Sequence, residues 1–241
     1  MELAYNGSAF CGWQVQPGEP TVQAALEHAL TLLLREEVAV TGCGRTDTGV
    51  HASQFFAHFD VEQPVDCERL TNKLNSFLPK EIVIYRTFPV APDLHARFSA
   101  TARTYKYYVA IDKDCFRYPY SYRMFKKLDV EQMNAAAALL LEVDDFTSFS
   151  KLHTQTRTNR CRVSAAAWRM EDGLLVFTIT ADRFLRNMVR AIVGTLLQVG
   201  KGQLSLEEFQ SVVERHDRCA AGDSVPAHAL FLTRVEYPCG Y

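Results

Sequence analysis

The chain lacks most of the features that assign a function at once. It has no Cys-x-x-Cys pair, and its seven cysteines (Cys11, Cys43, Cys67, Cys115, Cys161, Cys219 and Cys239) are odd in number and widely spaced. That spacing argues against a disulfide framework and against a thiolate zinc site. Free thiols in a reducing cytoplasm, with no metal, are the expectation. Long apolar runs are also missing: the longest, Ala135–Leu141, falls well short of the ~18 residues of a membrane span. The opening residues, Met1-Glu2-Leu3-Ala4-Tyr5, have neither a basic nor an apolar region of the signal-peptide kind, so no secretory signal is expected. Excess charge is lacking too, with 26 Lys and Arg against 28 Asp and Glu, a net −2. What is present, 241 residues of which 48% are hydrophobic and 22% charged, excludes wholesale disorder and allows one large domain or two small ones.

The near-neutral total hides a segregation. Residues 95–127 hold eight basic and two acidic side chains, and residues 151–190 hold eight and three. These two stretches carry +11 together, while the rest of the chain carries −13. Most charge runs are solvated surface. Two basic stretches flanking one acidic segment, Asp129 to Asp145, instead point to an electrostatic footprint for a polyanion.

Hydrophobic spacing gives the elements. Val22, Ala25, Leu26, Ala29, Leu30 and Leu33 predict a helix within Thr21–Glu36, and Asp66 caps a second helix that ends before Pro79. Strands are predicted near Ala4–Tyr5, at Glu37–Thr41, Gln54–Asp60 and Glu81–Phe88, giving the order β-α-β-β-α-β. The second half repeats it: a strand at Ala102–Ile111, a helix at Val130–Glu142 behind an Asp129/Gln132 capping box, and a hairpin around Asp172-Gly173. Helices at Arg183–Val199 and Leu206–Arg215 and a strand at Ala229–Glu236 follow. Residues 112–128 and 143–160 fit neither copy and read as loops. The expectation is an α+β protein of two duplicated ferredoxin-like units, residues 1–100 and 101–241, with antiparallel sheets.

The densest signal is Gly42-Cys43-Gly44-Arg45-Thr46-Asp47-Thr48-Gly49-Val50-His51. It lacks the Gly-Lys-Ser/Thr ending of a phosphate-binding loop, and no helix follows to make a dinucleotide-binding turn. A plain strand-loop-strand connection is one reading. Asp47-Thr48-Gly49 also spells the Asp-Thr-Gly of aspartic proteases, which share one proton between two carboxylates; the helix-rich pattern contradicts such an all-β enzyme.

The whole string Gly-Arg-Thr-Asp-Thr-Gly-Val-His resembles the catalytic motif of pseudouridine synthases, specifically the tRNA pseudouridine synthase A family. Further blocks match in order: Gly12-Trp13-Gln14, His95-Ala-Arg97-Phe-Ser-Ala, Arg103-Thr-Tyr105, Asp145-Phe-Thr-Ser-Phe, Gln155-Thr156-Arg157-Thr and Met188-Val-Arg190-Ala-Ile-Val-Gly194. The resemblance implies the pseudouridine synthase fold, two ferredoxin-like halves with a cleft between them. It implies isomerisation of uridine to pseudouridine at positions 38, 39 and 40 of the tRNA anticodon stem-loop, without a cofactor, by a homodimer. Asp47 would be the essential carboxylate, Arg190 its counter-charge, and Tyr105 the ring stacked on the target uracil. Arg45 would enter the RNA stem during base flipping, and Arg97, Gln155, Thr156 and Arg157 would contact RNA. On a helical wheel Arg183, Arg186 and Arg190 are expected to share one polar face. Thr48 and Ala229 depart from the family's usual alanine and glycine. A catalytically silent RNA-binding protein on the same scaffold is the rival; it would have no need of Asp47, Arg190 and Tyr105 together.

Overall fold

The computed structural model describes residues 1–151 and 158–238. It is a mixed α+β chain that divides into two compact units: Met1–Thr101 together with the chain end from Phe231, and Ala102–Leu230. The last strand differs: it was expected in the second half and belongs to the first unit.

The first unit is built on β1 (Glu2–Tyr5), α1 (Val22–Leu34), β2 (Thr41–Gly42), β3 (His51–His58), α2 (Cys67–Phe77) and β4 (Ile82–Arg86). β1 lies between β3 and β4 and is antiparallel to both. The short β2 pairs with the Ala57–His58 end of β3. Helix α1 starts where the Thr21 hydroxyl accepts the Ala24 N–H, and α2 where Asp66 accepts that of Arg69. Leu3, Val22, Leu26, Leu30, Phe55, Leu74 and Ile84 form the buried core.

The predicted strand Glu37–Thr41 shrinks to Thr41–Gly42. Side chains of α1 and its flank take the backbone groups that a neighbouring strand would have taken. Val38 N–H donates to Thr31 Oγ1 (3.3 Å), Val40 N–H to Glu27 Oε1 (3.0 Å), and Gln23 Nε2 to the Val40 carbonyl (3.0 Å).

The second unit contains β5 (Ala102–Ala110), the short β6 (Tyr122–Arg123), α3 (Val130–Leu139), β7 (Val163–Glu171), β8 (Leu174–Ala181), α4 (Met188–Gly200) and α5 (Leu206–Glu214). β8 lies between β5 and β7, antiparallel to both, and β6 runs parallel to the end of β5. The β7–β8 turn has Asp172 at φ 47° and Gly173 at φ 77°, the pair of left-handed residues that a two-residue hairpin turn demands. Helix α4 is apolar nearly all round, from Met188 to Gly200, and so lies in the core. A side chain at Gly200 would strike Met133 Sδ at 2.3 Å, which is how closely α3 and α4 approach.

Two expectations are corrected here. Helix α4 begins at Met188 rather than Arg183. Asn187 takes a left-handed conformation (φ 66°) and donates from Nδ2 to Ser224 Oγ at 2.5 Å, while Asp182 Oδ1 accepts the Arg183 N–H. Arg183 and Arg186 therefore precede the helix, and the shared arginine face does not exist. The Asp129 cap forms, with Oδ1 accepting the Gln132 N–H at 3.0 Å, but the reciprocal capping box belongs to Ser205 and Glu208 at α5.

Candidate active site

In the first unit the glycine-rich loop leaves β2 and re-enters the sheet at β3. Cys43 N–H donates to the Phe56 carbonyl at 2.7 Å, continuing the ladder one residue past β2. The loop then leaves the sheet and is held by the segment that follows β1. Trp13 N–H donates to the Thr46 carbonyl (3.2 Å), Gly49 N–H to the Phe10 carbonyl (3.3 Å), and Tyr5 OH is 2.9 Å from Thr46 Oγ1. A tight turn closes across the aspartate, with Val50 N–H on the Asp47 carbonyl at 3.1 Å. His51 is buried; its Nδ1 accepts the Gly7 N–H at 3.1 Å, and its ring stacks on Phe231 at 4.4 Å. That histidine is scaffold.

These contacts require glycine at two places. A Cβ at Gly12 would lie 2.5 Å from the Thr46 carbonyl oxygen in a residue with φ +88°, and one at Gly7 would lie 2.0 Å from that of Val50. Beneath the loop Trp13 stacks on Phe55 at 4.1 Å, and the Tyr5 ring meets Phe55 edge-on at 5.5 Å. The loop thus rests on an aromatic floor. Thr46 and Val50 are buried on either side, Asp47 is half-buried between them, and Arg45 and Thr48 are exposed. The loop thus alternates buried, anchored residues with Arg45, Asp47 and Thr48, which keep contact with solvent.

Arg97 lies elsewhere in the same unit, in a turn built by histidines. His95 Nδ1 accepts the N–H groups of Arg97 and Phe98 (3.1 and 3.2 Å), and His58 Nδ1 accepts that of Ala96 (3.1 Å). Tyr237 OH donates to the Ala96 carbonyl at 2.6 Å. The guanidinium of Arg97 lies over the Phe98 ring at 5.5 Å.

In the second unit Tyr105 is half-buried in mid-strand, opposite Ile179, with its ring edge-on to Phe184 at 5.1 Å. Arg190 lies in the first turn of α4. Its Nε donates to the Val225 carbonyl (2.7 Å), and its own carbonyl accepts the Val225 N–H (3.2 Å). Residues 222–225 lie against this helix so closely that a Cβ at Gly194 would be 1.8 Å from the Asp223 carbonyl oxygen. Tyr107, two residues from Tyr105, is buried and donates to the Pro226 carbonyl at 3.0 Å. Burial pushes its phenol far up, and the positive charge of Arg190 opposes that only in part. Tyr107 therefore stays a neutral donor.

Of the predicted residues, Arg45 and Asp47 share one loop, and Arg97 has its own turn. Tyr105 and Arg190 are carried by separate elements of the second unit, while Gln155, Thr156 and Arg157 lie outside the described residues. Among the described residues no cluster of His, Cys, Asp or Glu has the grouping of a metal site. The scaffold roles of Tyr5, Gly7 and Val225 come from contacts distant in sequence, which motif spacing does not show.

With this geometry in view, residues 3–99 and 136–238 match the family model for tRNA pseudouridine synthase. The chain belongs to that family. It is 55% identical over 237 residues to tRNA pseudouridine synthase A of Parabacteroides distasonis, covering 98% of this chain and 94% of the relative. The enzyme of that name from Bacteroides thetaiotaomicron is 56% identical over 239 residues (98% and 89%), and that of Bacillus subtilis 39% over 239 residues (98% and 97%). Arg45, Asp47, Arg97 and Arg190 fall within the stretches matched to the family; Tyr105 falls in the interval between them.

Proposed function

We propose that this protein isomerises uridine to pseudouridine at positions 38, 39 and 40 of the tRNA anticodon stem-loop, with Asp47 as its essential carboxylate. One observation carries the reading: in a chain of this family, the aspartate of the Gly-Arg-Thr-Asp-Thr-Gly-Val-His string is presented between two buried residues of an anchored loop. The names of the relatives supply the tRNA substrate. The order β1-α1-β2-β3-α2-β4, with β1 between β3 and β4, supports a ferredoxin-like first half.

In the reaction the N1–C1′ bond of uridine breaks, the uracil turns, and C5 bonds to C1′. The proton leaves C5, N1 takes one up, and the product is an isomer, so the chemistry calls for no redox group or energy source. A uracil in a stem must first leave the stack. Arg45, exposed beside the carboxylate, fits insertion into the vacated stem. Asp47 is the essential carboxylate that acts on the uridine, by attack on the base, by attack on the ribose or by assisting a glycal route. Arg190 supplies a positive charge that offsets the cost of holding a carboxylate beneath a base. Tyr105 stacks on the flipped uracil, an interaction of about 1–3 kcal/mol per base. Arg97, Gln155, Thr156 and Arg157 contact the RNA backbone. A homodimer in the cytoplasm, with each tRNA held by both subunits, completes the reading. No helix is long and apolar enough to cross a membrane among the described residues.

Incubation with unmodified tRNA, followed by mapping of pseudouridine, tests it. Wild type is expected to modify the anticodon arm, and Asp47→Asn to bind tRNA without forming product. Full activity in Asp47→Asn would overturn the mechanism, and tRNA binding by wild type without any product would leave only an RNA-binding protein.

A further inference from the structure

Between β5 and α3 the second unit carries a segment that the proposed function does not use. Residues 112–127 hold five aromatic rings, five basic and two acidic side chains. They lie in the interval between the two stretches matched to the family. Phe116 is 87% exposed, Phe125 83% and Tyr118 69%. Large rings left in water cost burial energy, so a concentration of them in one short segment needs a reason.

Looseness is not that reason, because the backbone beneath the rings is tied at several points. Asp114 Oδ1 accepts the N–H groups of Phe116 (2.8 Å) and Arg117 (3.1 Å), and Ser121 Oγ donates to the Arg117 carbonyl (2.8 Å). Arg117 also donates to the Asp172 carbonyl in the β7–β8 turn. β6 pairs with the end of β5, Met124 N–H donates to the Ala110 carbonyl (2.9 Å), and Met124 is buried. The framework is fixed and presents its rings outward.

Charge identifies the occupant. The Arg123 guanidinium lies 4.5 Å over the Phe125 ring, and Lys113, Lys126 and Lys127 are exposed and form no ion pair among the described residues. Exposed rings interleaved with unpaired cations form the combination that single-stranded nucleic acid uses, with bases stacking on rings and phosphates following the cations. The same pairing, a guanidinium over an exposed phenyl ring, occurs at Arg97 and Phe98.

We propose that residues 113–127 form a second RNA-contact surface, on which Phe116, Tyr118 and Phe125 stack on unpaired bases of the substrate while Arg123, Lys126 and Lys127 hold its phosphates. It rests on the reading of the protein as an RNA-modifying enzyme and adds a site to it. β6 pairs with Val109 and Ala110, four to five residues along β5 from Tyr105. The surface therefore begins about 13 Å along the strand from the ring assigned to the target uracil, at ~3.3 Å per residue.

The test uses Phe116→Ala/Phe125→Ala and, separately, Lys126→Ala/Lys127→Ala. All four side chains are exposed, and none belongs to the proposed catalytic set. Affinity for unmodified tRNA, its salt dependence, single-turnover pseudouridine formation at saturating enzyme and the sedimentation of the free protein are measured. The aromatic pair is expected to weaken tRNA binding about tenfold, with the rate at saturation within twofold of wild type and sedimentation unchanged. The lysine pair is expected to flatten the salt dependence by about two phosphate contacts. Unchanged affinity in both variants overturns the proposal, and unchanged affinity with an altered oligomeric state assigns the surface to a second copy of the chain. Absence of pseudouridine from wild type, with these affinity losses still present, would defeat the assigned activity while leaving the RNA surface standing.

Discussion

Arg190 and Val225 hold each other from both sides: the arginine Nε donates to the Val225 carbonyl at 2.7 Å, and the Val225 N–H donates back to the Arg190 carbonyl at 3.2 Å. A guanidinium bonded through Nε has its plane set by the backbone it bonds. The long, flexible side chain thus becomes a fixed charge.

From that relationship, Arg190→Lys is not conservative. Lysine keeps the charge but loses the planar fork and with it the bond that sets direction. The expected result is a fall of about 100-fold in turnover, of the order seen on removal of a preorganised electrostatic group, with tRNA affinity within about threefold of wild type. Arg190→Leu is expected to lose more turnover still. Single-turnover rates at saturating enzyme separate the two effects, and a loss of affinity alone would reassign this arginine to phosphate contact.

Gly12 is the position where the loop tolerates least. A Gly12→Ala side chain would meet the Thr46 carbonyl at 2.5 Å, in a residue already at φ +88°. Both the contact and the conformation are unfavourable, so a destabilisation of about 1–3 kcal/mol is expected for the strained backbone alone. Because Thr46 precedes Asp47, activity is expected to fall further than stability accounts for. Melting temperature and pseudouridine yield below the melting transition test this together, and Gly44→Ala serves as control, since a Cβ there meets nothing within 4 Å.

The histidines beneath Arg97 predict a pH dependence of stability. His58 accepts the Ala96 N–H through Nδ1, which only the unprotonated nitrogen can do. Burial, followed by the neighbouring His95 (4.8 Å between rings) and the Met1 ammonium, lowers its pKa from 6.5, while Asp60 acts in the opposite direction. The unfolded chain therefore takes up this proton at a higher pH than the folded one does. The contribution of His58 is complete above about 6.5 and is lost as pH falls through the folded value. Melting temperatures from pH 8 to 5 are expected to decline more steeply in wild type than in His58→Asn, whose Oδ1 can keep accepting. Equal slopes would clear His58 of the effect.

How much of this was legible in the sequence follows from how local each cause is. The caps at Asp66 and Asp129 were readable because a side chain bonds its own backbone three residues on. The Asp172-Gly173 turn was readable for the same reason. The start of α4 was not, because Arg183–Met188 has no breaker and the left-handed turn at Asn187 is secured by Ser224, 37 residues away. Glu37–Thr41 failed in the same way, its backbone groups taken by side chains of the preceding helix. The loop around Asp47 showed its chemistry in its own residues, but Tyr5 and Trp13 of the aromatic floor and the two glycines that position it lie far upstream, in the segment at and after β1. Motif residues were therefore easier to read than the residues that hold them in place.

The segregation of charge along the chain leads to the last prediction. A protein with net −2 ordinarily binds polyanions poorly, but binding follows the charges that meet the phosphates and not the total. If the two basic stretches meet tRNA, each phosphate neutralised releases counterions, and log K falls linearly with log salt at about 0.7–0.9 per contact. Six to eight contacts from the sixteen basic residues of those stretches correspond to a slope of about −4 to −7. Arg97→Ala is expected to lower the slope by about one. Titrations between 50 and 200 mM salt would measure this directly. A slope near zero would mean that the basic stretches do not meet the RNA, and recognition would then have to come from shape and stacking alone.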